Sequence, residues 1–103
     1  MVTVTWSAVQ QLKALIVEHP DDSVVRLTLR DVDETRLAFS ITLENAARPD
    51  DEVQTIEGLT VAVEGKSAPR MDGIVLDYRE PQGFKFLHPG QTEEFTLTLP
   101  NLN

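Results

Sequence analysis

The chain has 103 residues, of which 41% are hydrophobic, and it carries a formal net charge of −8 at pH 7. A chain of this length can bury a core without a disulfide or a structural metal. The negative charge argues against nucleic acid and anionic membranes as partners, because both repel it, and favours basic proteins or metal cations. No cysteine is present, which excludes disulfides, thiolate nucleophiles and cysteine-ligated metal centres.

The N-terminal part of the chain predicts a short strand followed by the longest helix. Residues 2–5 alternate between apolar and polar side chains, as in a strand. Ser7 and Gln10 have the spacing of a capping box, which would start a helix at Ser7. An apolar face then continues until His19 and Pro20 end the helix. That face consists of Val9, Leu12, Leu15 and Ile16.

Two longer strands are predicted next, over residues 25–30 and 37–43. In both segments apolar residues alternate with polar ones, which is typical of a strand with one buried face. On this pattern Arg26 belongs to the polar face. The polar residues 45–52, which include a proline, predict a surface loop.

The second half of the chain predicts hairpins and a helical turn. Residues 53–56 and 59–63 flank Glu57-Gly58, where a glycine can adopt the positive φ of a tight turn. Residues 66–71 predict a short helical turn with Ser67 as its N-cap. Further strands are predicted over residues 74–79, 84–86 and 95–99. We therefore expect a single domain over residues 1–103, of the α+β class and mostly β, with one N-terminal helix and a short helical turn.

A series of short motifs follows this pattern in a fixed order. The series consists of Gly58, Val61-x-Val63, Lys66-Ser67, Asp72-Gly73, Leu76-Asp77-Tyr78, Gly83-Phe-Lys-Phe86 and Pro89. It resembles the HesB/IscA family of iron–sulphur cluster assembly proteins. The resemblance implies a HesB-like fold, in which short, mainly antiparallel strands form a compact, sandwich-like domain. It also implies protein partners and self-association, commonly as a dimer.

The segments that carry the family's cysteine ligands are altered in this chain. Glu34 occupies the place of the first cysteine, in the loop between two strands. Residues 91–99 replace the expected Cys-Gly-Cys region and read as an added strand. Neither carboxylates nor hydroxyls are equivalent to the soft thiolates that hold iron–sulphur clusters.

The acidic residues of the two altered segments allow two interpretations. If the segments converge as in the family, then Glu34, His88, Glu93 and Glu94 would form a site for iron or another hard cation, with Asp31 and Asp33 nearby. The alternative is that these carboxylates are solvated surface groups and that His88 is an ordinary turn residue. The spacing matches no calcium-binding loop.

No pattern of an enzyme active site is present. The two histidines lie in unrelated settings, and there is no nucleophile elbow and no phosphate-binding glycine loop. We expect a protein that is not an enzyme and needs no cofactor, and that acts as an accessory or interaction domain linked to iron–sulphur or iron metabolism. The alternative is a metal-binding protein with iron as its metal. The absence of a signal-peptide pattern and of a long apolar run predicts a cytoplasmic protein that binds neither nucleic acid nor membranes.

Overall fold

The computed structural model describes residues 1–33, 37–87 and 94–98. Its elements in chain order are β1 (Thr3–Val4), α1 (Trp6–Glu18), β2 (Val24–Asp31), β3 (Leu37–Glu44), β4 (Glu52–Ile56), β5 (Leu59–Val63), α2 (Ala68–Met71), β6 (Val75–Arg79), β7 (Gly83–Leu87) and β8 (Glu94–Thr98). The fold is α+β and mostly β, as predicted. None of the helices in the described ranges is long and apolar enough to cross a membrane.

The strands form an eight-stranded mixed sheet in the order β1-β6-β7-β8-β3-β2-β5-β4. The hairpins β2–β3, β4–β5 and β6–β7 and the pair β7–β8 are antiparallel. The pairs β1–β6, β2–β5 and β3–β8 are parallel and contain two, four and two residue pairs. Antiparallel pairs therefore dominate the sheet, as the family resemblance implies.

The C-terminal strand β8 joins the two halves of the sheet. It pairs with β7 on one side, where Phe86 lies opposite Phe95, and with β3 on the other, where Phe39 lies opposite Leu97. The prediction of an added strand in residues 91–99 is confirmed for Glu94–Thr98. The sequence alternation indicated the strand, and only the structure shows that it lies in the middle of the sheet.

The core lies on the inner side of the sheet, under α1 and α2. Phe39 and Phe86 are fully buried and stack with ring centroids 4.5 Å apart and planes 15° from parallel. The helix α1 packs on β6 and buries Val9 and Leu12, while Leu15 lies at the margin of the core. Burial of these apolar side chains is the main favourable term in folding.

The start of α1 differs from the predicted capping box. The helix begins at Trp6 and its N-cap is Thr5, whose Oγ1 accepts a hydrogen bond from the Ala8 amide at 3.3 Å. Ser7 is inside the first turn, and its hydroxyl donates to the Tyr78 carbonyl at 3.0 Å. The capping-box prediction was wrong because the β1 strand already commits Ser7 to contacts with β6. Trp6 is 63% exposed and contributes little to the core.

The turn between β4 and β5 confirms the hairpin prediction. Glu57 and Gly58 have φ values of 50° and 83°, as both central residues of a type I′ turn require. The helical turn α2 also lies where it was predicted, but Ser67 makes no side-chain cap. Its hydroxyl is buried and accepts a hydrogen bond from the Leu29 amide on β2 at 3.1 Å. Ser67 therefore fixes α2 to the sheet.

The two outermost strands of the sheet are linked by one side chain. Gln54 on β4 accepts a hydrogen bond from the Val2 amide at 3.2 Å and donates one to the Val2 carbonyl at 2.7 Å. The Gln54 amide thus binds the N-terminal segment as a peptide group of a neighbouring strand would. The last strand of the sheet and the residues just before the first strand therefore lie on either side of a groove.

Candidate functional site

The loop between β2 and β3 and the segment between β7 and β8 have their bases at the same end of the sheet. Glu94, the first residue of β8, lies opposite Leu87, the last residue of β7. Because β8 runs parallel to β3 with Leu97 beside Phe39, the start of β8 is also next to the start of β3. Leu37 in turn is paired with Asp31 at the end of β2. The loop bases therefore converge as the family resemblance implies.

Most of the predicted ligand residues lie outside the described part of the chain. This applies to Glu34, His88 and Glu93. Glu94 is the first residue of β8, but the structure does not describe its side chain. A metal site made of these four residues stays a prediction. Within the described ranges, no group of three His, Asp or Glu side chains is close enough to bind a metal ion.

Asp31, at the end of β2, is engaged by α2. Its carboxylate accepts two hydrogen bonds from the Arg70 guanidinium, at 2.9 and 3.1 Å. The Arg70 hydrogen bond lowers the pKa of Asp31 and the Asp31 carboxylate raises the pKa of Arg70. Because the Asp31 carboxylate is bound to Arg70, it is not a free metal ligand. The same ion pair fixes α2 to this end of the sheet.

A buried ion pair lies further back along β2. Arg26 donates from Nε and Nη2 to both carboxylate oxygens of Asp51, at 2.9 and 3.0 Å, and the Arg48 amide donates to the same carboxylate at 3.0 Å. The side chains of Arg26 and Asp51 are only 7% and 0% exposed. The Arg26 hydrogen bond outweighs burial and lowers the pKa of Asp51.

Arg26 was predicted on the polar face of β2, and Asp51 in a surface loop. The loop prediction is confirmed, since residues 45–51 connect β3 to β4 and most of them are exposed. The side chains of Arg26 and Asp51 are nevertheless buried, because the loop brings Asp51 onto the face of the sheet that carries Arg26. A charge in such a place is stable only when it is paired and fully hydrogen-bonded.

Glu64 connects this ion pair to the loop end of the sheet. Its carboxylate accepts two hydrogen bonds from Arg30, one of them at 2.8 Å from Nη2, and one from the Ser67 hydroxyl at 2.8 Å. Arg26 is also 3.7 Å from Glu64 Oε2. The Arg30 hydrogen bond is the main reason why the pKa of Glu64 falls to about 2. The network fixes the corner between β5 and α2 against β2, so its role is to position these elements.

Asp77 on β6 forms a second polar cluster at the start of α1. Its Oδ1 accepts hydrogen bonds from Thr5 at 2.6 Å, Ser7 at 3.1 Å and the Tyr78 amide at 2.9 Å, and Oδ2 accepts one from Arg79 at 2.9 Å. The Thr5 hydrogen bond is the largest cause of a pKa of about 2 for Asp77. Asp77 is buried, and its hydrogen bonds fix the start of the helix to β6.

A groove opens between the first and last strands of the sheet, and sequence reasoning missed it. Its volume is about 480 Å³. It is lined by Met1 and Val2, by Glu52, Val53 and Gln54 of β4, by Val63, and by Ala68, Pro69, Met71 and Asp72 around α2. Since these residues come from four separate segments, no local pattern could have indicated the groove.

The chain matches the model of the iron–sulphur cluster biosynthesis family over residues 1–97. It is 30% identical over 99 residues to "Protein HesB, heterocyst" from Trichormus variabilis, covering 88% of this chain and 80% of that protein. The crystal structure of Escherichia coli SufA, described as involved in biosynthesis of iron–sulfur clusters, superimposes with a TM-score of 0.80. That match has 25% identity and covers 89% of this chain and 84% of SufA.

A crystal structure of IscA with a [2Fe-2S] cluster has the same fold. It superimposes with a TM-score of 0.78 at 22% identity, and covers 90% of this chain and 89% of IscA. The fold and the match over nearly the whole length define the class: this chain belongs to the iron–sulphur cluster biosynthesis family.

The residues of this family member do not fit an iron–sulphur cluster in its usual ligation. Such clusters are held by cysteine thiolates, with histidine as an occasional replacement for part of the set. The chain has no cysteine and only two histidines. No step of cluster binding or transfer is therefore assigned to its side chains.

Proposed function

We propose that this protein is an accessory factor of iron–sulphur cluster assembly that acts through contacts with other proteins. In this role it catalyses no reaction, holds no cluster on its own side chains, and works in the cytoplasm. The observation that carries the proposal is the combination of a retained family fold with the complete absence of cysteine. A fold kept without thiolate ligands still presents a surface, and protein recognition needs only a surface, whereas the fold by itself does not fix the function.

The position of β8 adds support. The segment that would carry cysteines in the family provides the strand that joins β7 to β3. Its backbone groups bond to both neighbours, so the segment contributes to the stability of the sheet. The segment is therefore an integral part of the sheet.

Cluster reconstitution tests the first part of the proposal. Untagged protein is incubated anaerobically with ferrous iron and sulfide, desalted, and examined by visible absorption and metal analysis. We expect a colourless protein with far less than one iron per chain. Stoichiometric iron and sulfide with a stable charge-transfer absorption would overturn the proposal.

Deletion of the gene in its own host tests the second part. We expect lower activity of iron–sulphur enzymes under iron limitation, restored by the wild-type gene. Cross-linking in the same cells, followed by mass spectrometry, identifies which assembly proteins lie next to the chain, and sedimentation shows whether it also associates with itself. Unchanged iron–sulphur enzyme activities, together with the absence of specific cross-links, would contradict the proposal.

A second candidate is a metal-binding protein that uses Glu34, His88, Glu93 and Glu94 for iron or another hard cation. The observation that favours it is the convergence of the two loop bases at one end of the sheet. Under this alternative, purified protein takes up stoichiometric iron without sulfide, and Glu34→Ala abolishes the uptake. The matched control is Glu18→Ala, which removes an exposed carboxylate at the end of α1. Equal iron content in both variants would exclude the four-residue site.

A further inference from the structure

In the part of the chain that the structure describes, β4 is the last strand of the sheet, and one row of its backbone groups has no partner. In a hairpin with a two-residue turn, Ile56 and Leu59 form a hydrogen-bonded pair, and the pattern repeats at every second residue. The N–H and C=O groups of Gln54 therefore point to β5, and those of Val53 and Thr55 point to the open edge. In the described ranges, no loop or turn forms a backbone hydrogen bond with Val53 or Thr55.

Apolar surface lies directly beside this open edge. The groove between β4, α2 and the N-terminal segment is lined by the exposed residues Val53 and Pro69 and by Val63, Ala68 and Met71, which are buried. The Val53 side chain is 54% exposed, although it is a large apolar group on an edge strand. Natural edge strands are usually protected by charges, prolines or bulges, and an exposed apolar edge is a template for pairing with another strand.

The groove carries one uncompensated negative charge, because the Met1 ammonium offsets one of its two carboxylates. Glu52 at the start of β4 is exposed and is in no ion pair with the other residues that the structure describes. Asp72 is the other charged residue of the lining, and the Met1 ammonium binds its carboxylate. With a net charge of −8 on the whole chain, the groove attracts a basic segment and repels an acidic one.

A second copy of the chain fits this edge poorly. Two copies that paired along β4 would bring together strands bounded by Glu52 and Glu57, with no basic residue between them. Like charges facing each other across a strand pair are destabilising. The net charge of each copy adds to this repulsion.

We propose that the open edge of β4 binds an extended, basic segment of a partner protein, which adds a ninth strand to the sheet. This inference rests on the proposed function, in which the chain acts through protein contacts, and it assigns the surface and the chemistry of the partner. Main-chain hydrogen bonds to Val53 and Thr55 supply affinity. Apolar side chains of the segment enter the groove beside Pro69, and its lysine or arginine side chains lie near Glu52.

Titration with two short peptides tests this proposal by NMR. The first peptide is a capped heptapeptide of alternating lysine and valine, and the second has glutamate in place of every lysine. We expect the lysine peptide to shift the amide signals of residues 52–56 and to slow hydrogen exchange at Val53 and Thr55. The glutamate peptide is expected to cause neither change. Shifts confined to another surface, or equal binding of both peptides, would overturn the proposal.

Two variants probe the edge and its charge. Val53→Pro removes an N–H that faces the open edge, so the hairpin keeps its own hydrogen bonds, and the dissociation constant of the lysine peptide should rise by about tenfold or more. Glu52→Lys should weaken the lysine peptide by about threefold to tenfold at low salt. Glu18→Lys is the charge-matched control and should leave binding unchanged. Thermal unfolding of each variant shows that the fold is retained.

Other outcomes separate this inference from the proposed function. If Val53→Pro binds the lysine peptide as well as the wild type does, the strand-addition site is wrong, even where cross-linking still identifies assembly partners. If the wild type forms a dimer that Val53→Pro abolishes, a second copy occupies the edge and the basic-segment proposal is wrong. If peptide binding behaves as expected but gene deletion changes no iron–sulphur enzyme, the proposed function fails and the binding site stands.

Discussion

Arg26 and Asp51 form an ion pair that water hardly reaches. The guanidinium donates two hydrogen bonds to the carboxylate, at 2.9 and 3.0 Å, and the Arg48 amide supplies a further donor. Removing one partner leaves a buried charge without compensation, which costs far more than the net contribution of the pair itself. The ion pair therefore fixes the loop before β4 to β2, and the packing of this loop depends on it.

Substitution of Arg26 tests this dependence. We expect Arg26→Met to lower the free energy of unfolding by about 3–5 kcal/mol, because Asp51 stays buried without its partner. The double variant Arg26→Met with Asp51→Leu should recover a large part of that loss. Arg70→Met is the control, since its ion pair with Asp31 is exposed and its removal should change stability little. Urea denaturation at pH 7 measures all three, and equal losses in Arg26→Met and Arg70→Met would contradict the prediction.

At the scale of elements, β8 and β4 differ in their position, because β8 lies inside the sheet and β4 lies at its edge. Among the described residues, β8 has a neighbouring strand on each side, whereas β4 has one only on the side of β5. The same backbone change must therefore have different effects in the two strands. Every missing N–H in a central strand costs a ladder hydrogen bond, while an outward N–H of an edge strand is replaceable.

Proline substitutions measure this difference. We expect Thr96→Pro in β8 to destabilise the protein by about 3 kcal/mol or more, because a central strand loses a donor and its straight path. Val53→Pro in β4 should cost clearly less. Thermal unfolding and hydrogen exchange of β3 and β7 are the readouts. A Thr96→Pro variant as stable as Val53→Pro would show that β8 does not join the halves of the sheet.

The start of α1 shows why local motifs misassigned a boundary. Ser7 and Gln10 satisfy the spacing of a capping box, but Thr5 takes the N-cap position. The Thr5 hydroxyl also donates to Asp77, which is 72 positions away in the chain. Thr5 caps the helix and also binds β6, so the long-range hydrogen bond to Asp77 stabilises Thr5 in the N-cap position.

For the whole molecule, buried carboxylates link stability to pH. Glu64 and Asp77 both have a pKa of about 2 in the folded protein, below their ordinary values of 4.5 and 3.8. A depressed folded pKa means that the ionised group stabilises the fold above the unfolded pKa. That stabilisation disappears as the pH falls towards the folded pKa.

Acid titration of stability checks this linkage. We expect the free energy of unfolding to be nearly constant above pH about 5 and to fall by about 2 kcal/mol or more as the pH falls towards 2. Glu64→Gln should be less stable at pH 7 and show a flatter acid limb. Glu18→Gln, which changes an exposed carboxylate, should follow the wild-type curve. A wild-type stability that does not change between pH 5 and pH 2 would contradict the assigned pKa directions.

Much of the secondary structure was predictable because its causes are local. The alternation in β2 and β3 and the positive-φ turn at Glu57-Gly58 each depend on residues next to each other in the chain. The candidate ligand residues came from the family resemblance, and for them the structure supports only the convergence of the loop bases. The open edge of β4 had no local signature, because an edge is defined by what does not pair with it.

By itself, the sequence determined the class of fold, the turn residues and the lack of every thiolate, since these follow from residue identity and periodicity. Tertiary structure alone decided that Arg26 is buried, that β8 lies between β7 and β3, and that Gln54 brings the first and last strands of the sheet together. Each of these depends on partners 25 to 52 positions apart in the chain or on strand order. Burial and strand pairing are properties of the assembled core, in which polar groups find partners that no short segment contains.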